Sequence, residues 1–260
     1  MEKFSKLKDY IKSLEKVYVA FSGGVDSTFL AKICSDILGE NAVLISVISP
    51  LLSEIELEDI KSIVDNYNFN HKKLFFDIDN KIFTENPSDR CYHCKKLIFS
   101  SIKKEAEKDG VNFILDGSNI DDLSDYRPGL KALKELEILS PLKMFEFTKD
   151  EIRELSQKLN LPTWNKPAMA CLATRFPTGC AISKENLFKI QKAEYFLKES
   201  GISQFRVRFH NEIARIEVPK DELHKFFDVK FMESISKKIK DIGFKYVALE
   251  LSGYKMGNMN

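Results

Sequence analysis

No stretch of the 260 residues approaches the roughly 20 consecutive apolar positions that a membrane-spanning helix needs. The first ten residues, charged at nearly every second position, lack the apolar core of a secretory signal. A cytoplasmic protein without a membrane partner is therefore expected. Charge of one sign is missing too, since 40 Lys and Arg stand against 39 Asp and Glu. With no global field to attract a polyanion, nucleic acid is not expected as the main partner, and any basic site must be local. Cysteines number only five and are scattered, which excludes a disulfide framework. Thiols kept reduced are left for reactivity or metal binding. Internal repeats and low-complexity tracts are absent as well.

What the chain does contain is core material. Hydrophobic residues make up 43% of it, with 20 Phe and 8 Tyr, so disorder is excluded and one large or two modest domains can form. Val17 to Phe21 reads as a short buried strand. Gly23 and Gly24 break the pattern, and a helix follows from Asp26 to Leu38 with Leu30, Ile33, Cys34 and Ile37 in one stripe. Strands at 43–48, 71–76 and 113–116 alternate with helices at 54–66 and 94–108. Continuous apolar strands separated by helices predict an α/β fold, a doubly wound parallel sheet. Thr148 caps a further helix over 149–159. Residues 162–181 hold three prolines and no amphipathic period, which predicts a long loop. Beyond it, a helix at 184–199, strands at 204–209, 212–218 and 246–251, and helices at 220–227 and 231–242 make a second, smaller α+β domain. The expected organisation is residues 1–165, a cysteine-bearing linker at 166–182, and residues 183–260 for substrate binding and homo-oligomerisation.

Ser22-Gly23-Gly24-Val25-Asp26-Ser27 lies between a strand and a helix, where glycines let the backbone approach an anion and amide groups point at it. A Walker loop needs a Gly-Lys-Ser/Thr ending and a Rossmann fingerprint needs three spaced glycines; neither is present. The plain reading is a helix start capped by Ser22 or Asp26. The hexapeptide resembles the SGGxDS signature of the PP-loop ATP pyrophosphatases, which transfer AMP to a carbonyl or carboxylate oxygen and release pyrophosphate. That resemblance implies that Ser22, Gly23, Gly24 and Ser27 bind ATP phosphates, and that Asp26 binds ATP, holds Mg2+ and takes part in catalysis.

Cys34 belongs to the apolar stripe and reads as core. Cys91 and Cys94 are flanked by Arg90, Lys95 and Lys96, and Cys171 is followed by Arg175; nearby cations favour thiolates. A CxxC pair with one distant cysteine suits a cluster held by three thiolates with one open iron. Zinc, with His93 or Cys180 as fourth ligand, and a CxxC redox pair are the other readings.

Together with the glycine loop, four further segments resemble the LarE family over nearly the whole chain. They are Asp89 to Lys95, the run Asp116 to Asp122 continuing through Asp125-Tyr126-Arg127-Pro128-Gly129, the Cys171 loop, and the terminal Gly253 to Asn260. Members of that family are ATP-dependent sulfur transferases of nickel-pincer nucleotide (lactate racemase cofactor) synthesis. The resemblance implies adenylation of a carboxylate of pyridinium-3,5-dicarboxylate mononucleotide and its conversion to a thiocarboxylate. One branch sacrifices the sulfur of a cysteine matching Cys171, leaving dehydroalanine. Another carries sulfide on a 4Fe-4S cluster held by cysteines matching Cys91, Cys94 and Cys171, and the presence of all three favours it here. Sulfide or another sulfur donor is then a partner. The competing enzyme is a PP-loop tRNA thiolase, which the balanced charge opposes.

Arg206 and Arg208 alternate with Phe205, Val207 and Phe209, which predicts both guanidinium groups on one face of a strand. Such a pair suits a phosphate, or is a solvated strand face; the resemblance implies a clamp on the substrate phosphate. Glu217 joins that face or pairs with Arg215. Asp116, Asn119 and Asp122, at a strand end and the turn after it, are expected either in the ATP and Mg2+ site or in turn-forming hydrogen bonds.

Overall fold

Burial on both faces is what the apolar runs near residues 17 and 42 demand, and the computed structural model, which describes residues 2–123, 128–167 and 170–255, meets that demand with a parallel sheet. Its elements begin with α1 (Glu2–Ser13), β1 (Val17–Ala20), α2 (Val25–Leu38), β2 (Ala42–Ile48), α3 (Glu54–Tyr67) and β3 (His71–Phe75). The chain continues through α4 (Lys81–Glu85), α5 (Arg90–Lys108), β4 (Phe113–Leu115), α6 (Pro128–Glu135), α7 (Pro141–Met144) and α8 (Lys149–Lys158). The sheet order is β3-β2-β1-β4, with every neighbour parallel. The order reverses between β1 and β4, so the carboxyl ends of these two strands flank a topological switch point, where open α/β sheets bind ligands.

Tyr18 and Ile45 pack on one face with Phe99, Ile102 and Ala106 of α5 and Leu133 of α6. Val17 and Val19, pointing the other way by the period of two, are equally buried. Phe29 of α2 lies within 6.3 Å of Phe147 and 6.0 Å of Phe4, ring centre to ring centre. Thr148 caps α8 as predicted and completes a capping box with Glu151. The helix expected from Cys94 begins instead at Arg90, so Cys91 and Cys94 both lie within the first two turns of α5, three residues apart and therefore on one face. Three short helices, α4, α6 and α7, went unpredicted because none is long enough to display an amphipathic period.

The later elements are α9 (Lys184–Glu199), β5 (Arg206–His210), β6 (Ile213–Glu217), α10 (Val229–Asp241) and β7 (Tyr246–Leu249). They form a sheet of order β5-β6-β7, in which β5 and β6 are antiparallel and β6 and β7 parallel. The helix expected at 220–227 is a 3-10 helix over Lys220–Phe227. Two compact units result: Met1–Ser49 with Glu56–Phe76 and Asp89–Met169, and Pro50–Ile55 with Asp77–Ser88 and Ala170–Asn260. The second thus gathers two short segments from early in the chain. Asp125, Tyr126 and Arg127, and the terminal Met256 to Asn260, which contribute to the family resemblance, lie outside the described residues. No described helix is long and apolar enough to cross a membrane.

Candidate active site

In the first unit, the loop after β1 turns on Gly23, whose φ of +68° favours glycine and whose neighbour Ile60 Cγ1, 3.0 Å from where a Cβ would stand, leaves little room for a side chain. Gly24 precedes α2 in an extended conformation and the helix has no side-chain cap, which removes the reading of Ser22 or Asp26 as an N-cap. Ser22 N–H donates to Ser27 Oγ at 3.3 Å, and the two hydroxyl oxygens lie 3.1 Å apart. Ser27 Oγ donates to Gly24 O at 3.2 Å. The arrangement is a glycine-lined concavity at an uncapped helix start, suited to an anion.

Residues after β4 close on the same loop. A Cβ on Gly117 would stand 3.0 Å from Ser27 N, so this glycine permits the close approach. Asn119 Nδ2 donates to Asp26 Oδ1 at 3.2 Å. Asp122 accepts from Asn119 N–H at 3.1 Å, a turn-forming bond. The buried Asp116 carboxylate accepts from the hydroxyls of Ser118 and Ser140, both at 2.5 Å, a structural use of its charge. Two residues that motif reading passed over also reach the loop. Lys149 Nζ lies 2.5 Å from Asp26 Oδ2, and Lys166 Nζ donates to Gly23 O at 3.0 Å while pairing with Asp59 at 2.7 Å. For Lys149 a signal existed: a lysine in the first turn of a helix sits against the helix dipole. Lys166 had none.

Cys91 is exposed and Cys94 half-buried at the start of α5, where His93 Nε2 lies 3.1 Å from Asp89 Oδ2. Between the two thiols in sequence, Tyr92 has the ammonium groups of Lys96 and Lys131 each 5.4 Å from its ring centre and donates to Glu135 at 2.7 Å. Cys34 is fully buried, and burial pushes its thiol up, as a core residue should behave.

In the second unit, Cys171 is exposed and precedes a 3-10 turn, Leu172–Arg175. Arg175, only 1% exposed, grips Glu194 of α9 with a two-pronged fork, Nε to Oε1 at 2.8 Å and Nη2 to Oε2 at 2.9 Å. Its third nitrogen donates to Ala170 O at 2.6 Å and Cys171 O at 3.2 Å, fixing the backbone beneath the thiol. Glu194 also accepts Val207 N–H of β5 at 2.9 Å. From β5, Arg208 donates to Glu217 at 2.7 Å and to Thr174 O at 2.9 Å. Glu217 meets Arg215 at 3.1 Å as well, the pairing given above as one of its two readings. The alternative of a solvated face for Arg206 and Arg208 is removed: they are 2% and 5% exposed. Arg206 lies 5.2 Å from the Tyr254 ring centre, and burial, then the neighbouring Arg175 charge, pulls it below its ordinary pKa. Buried acids from other elements neutralise this strand, which sequence alternation does not reveal. Cys180, the remaining thiol, has its carbonyl held by the buried Asn86 side chain at 3.0 Å, and partial burial raises its pKa.

Among the described residues no group of three or more His, Cys, Asp or Glu side chains is placed to hold a metal ion. Cys91 and Cys94 belong to the first unit and Cys171 to the second, so neither unit contains the expected three-thiol set.

A parallel sheet with flanking helices and a glycine loop at its switch point defines an α/β enzyme of the PP-loop ATP pyrophosphatase class. A family model described as NAD synthase matches residues 2–102. The pyridinium-3,5-bisthiocarboxylic acid mononucleotide synthase of Lactiplantibacillus plantarum is 36% identical over 96% of this chain and 91% of its own. The chain belongs to that synthase's family, the LarE family. Uncharacterised proteins of Synechocystis sp. and Methanocaldococcus jannaschii are similar to it over nearly their full lengths, 39% identical over 99% of this chain and 97% of the relative, and 38% over 98% of each.

Proposed function

We propose that the protein is an ATP-dependent sulfur transferase that converts a carboxylate of pyridinium-3,5-dicarboxylate mononucleotide into a thiocarboxylate, in nickel-pincer nucleotide synthesis. The observation that carries this reading is the exposed Cys171, held at the edge of a turn whose backbone Arg175 pins, in a chain that also has an uncapped, glycine-lined anion loop. Near full-length likeness to a synthase of a bisthiocarboxylic acid mononucleotide supports the substrate class.

In the first step the substrate carboxylate attacks the α-phosphorus of ATP. An O–P bond forms, the bond to the β-phosphate breaks, and pyrophosphate leaves with the electron pair. Ser22, Gly23, Gly24 and Ser27 receive the phosphates. Asp26 would hold a magnesium ion arriving with the nucleotide, since such a cation is held by one or two carboxylates and the phosphates themselves, and the ion would offset phosphate charge there. Adenylation turns a poor leaving group into AMP, which a sulfur nucleophile displaces from the acyl carbon. With Cys171 as that nucleophile the product is a thioester. Loss of the Cys171 Cα proton with cleavage of its Cβ–S bond then releases the thiocarboxylate and leaves dehydroalanine. In the second unit, Arg206 and Arg208, with Glu217 opposing them, are the proposed grip on the substrate phosphate.

The sequence also supports iron on Cys91, Cys94 and Cys171. Three thiols are suitable iron donors, but the described residues do not gather them, so no step is written through a cluster.

Anaerobic incubation of the protein with ATP, magnesium and the pyridinium dicarboxylate nucleotide, with and without sulfide, followed by mass spectrometry of small molecule and protein, tests the reading. Thiocarboxylate formation that disappears in Cys171→Ser is expected. A brown, sulfide-dependent protein bleached by Cys91→Ala identifies the iron route; a colourless one that loses the mass of hydrogen sulfide at residue 171 identifies the sacrificial route. Absence of thiocarboxylate under both conditions rejects the function, and an unchanged acceptor Kd in Arg206→Ala removes the phosphate grip.

A further inference from the structure

The SGGVDS loop carries no lysine, although a nucleotide pyrophosphate is among the most highly charged small ligands a protein meets. Two lysines remote in sequence close on that loop. Lys149 stands 123 residues from Asp26 and places Nζ 2.5 Å from its Oδ2. Lys166 stands 143 residues from Gly23 and donates to its carbonyl at 3.0 Å, with Asp59 at 2.7 Å on its other side. Both side chains keep some solvent access, 32% for Lys149 and 17% for Lys166, so both can meet an incoming ligand. Each ammonium is balanced by one carboxylate before any ligand arrives. A magnesium ion takes carboxylate oxygens as its ligands; were one held by Asp26, Lys149 would lose that partner, and its flexible four-carbon stem would let the ammonium turn toward a phosphate.

We propose that Lys149 and Lys166 are the cationic ligands of the nucleotide's pyrophosphate portion, and that Lys149 exchanges Asp26 for a phosphate oxygen when magnesium binds. This rests on the ATP-binding reading above. It makes the two lysines substitutes for the Walker lysine that this loop lacks, contributed by the start of α8 and by the segment after it. During adenylation they offset the charge that develops on departing pyrophosphate.

The test is isothermal titration of the full chain with ATP plus magnesium, ATP in EDTA, and AMP, for wild type, Lys149→Met and Lys166→Met, with a thermal midpoint for each. Each variant is expected to weaken magnesium–ATP about tenfold or more and to leave AMP within about twofold, the size of one lost charge-assisted hydrogen bond. The Lys149→Met loss shrinks in EDTA, because the ammonium then stays on Asp26, whereas the Lys166→Met loss persists. A Lys149→Met loss of equal size in EDTA overturns the exchange. Wild type that binds ATP while both variants bind it equally well overturns the inference and leaves the nucleotide reading standing. Wild type that binds no ATP overturns both. If Lys166→Met lowers the midpoint, Lys166→Arg decides: restored ATP affinity supports the role of charge, and continued loss refutes it.

Discussion

At Gly23 the backbone sits at φ +68° with Ile60 Cγ1 3.0 Å from a would-be Cβ, whereas Gly110, at φ +63°, has open space around it. The two positions separate strain from crowding. Gly110→Ala is expected to cost about 1–2 kcal/mol from the left-handed conformation alone. Gly23→Ala adds the tight contact with a buried isoleucine and displaces the loop proposed to receive phosphate, so it is expected to lower the thermal midpoint further and to weaken ATP binding. Calorimetry and nucleotide titration of both variants check this; equal midpoints and equal ATP affinities would contradict the crowding argument. At this scale the motif residues were legible, because glycine and serine spacing is a local signal. Lys166 was not, since a lysine looks the same in sequence whether it is solvated or faces an acid, and for Lys149 the only signal was its unfavourable place in the first turn of α8, which does not name Asp26 as its partner.

Among the elements, a chain of hydrogen bonds runs from the Cys171 turn through Arg175 to Glu194 on α9 and on to Val207 of β5. A charge pair 1% and 2% exposed is held by its hydrogen bonds, and removing one partner strands the other in a low-dielectric interior. Glu194→Ala is therefore expected to cost about 3–5 kcal/mol in urea unfolding. Glu194→Gln, which keeps the shape, should retain more of the fold yet lower the thiocarboxylate yield, with Cys171 still open to alkylation because the thiol is already exposed. An unchanged yield would show that the turn needs no anchoring charge. The helices and strands of both sheets were legible from periodicity. The environment of β5 was not: alternating arginines suit a phosphate or a wet face alike, and only the acids arriving from α9 and β6 make that face dry.

For the molecule as a whole, pH acts through His71 on the sheet. Its Nε2 lies 2.9 Å from Ser46 Oγ and its ring 6.2 Å from Phe21, and burial, then the Lys73 charge, depresses its pKa below 6.5. The unfolded chain therefore binds a proton at higher pH than the folded one. Stability should be full above about 6.5 and fall as pH drops toward the folded value. Thermal midpoints measured across this window should decline in wild type and decline less in His71→Gln; parallel curves would assign the loss to other groups. The two units differ in how readable they were. The first follows the chain almost continuously, whereas the second collects Pro50–Ile55 and Asp77–Ser88 from far upstream, and no compositional shift marks those segments.

The sequence by itself determined the parallel α/β sheet, the glycine loop and its place after the first strand, and the family, because periodicity and short-range spacing encode them within a few residues. The tertiary structure alone decided which charges meet. Lys149 reaches Asp26 and Arg175 reaches Glu194 across 123 and 19 residues. Such pairing depends on distance in space and burial, for which the order of residues carries no period.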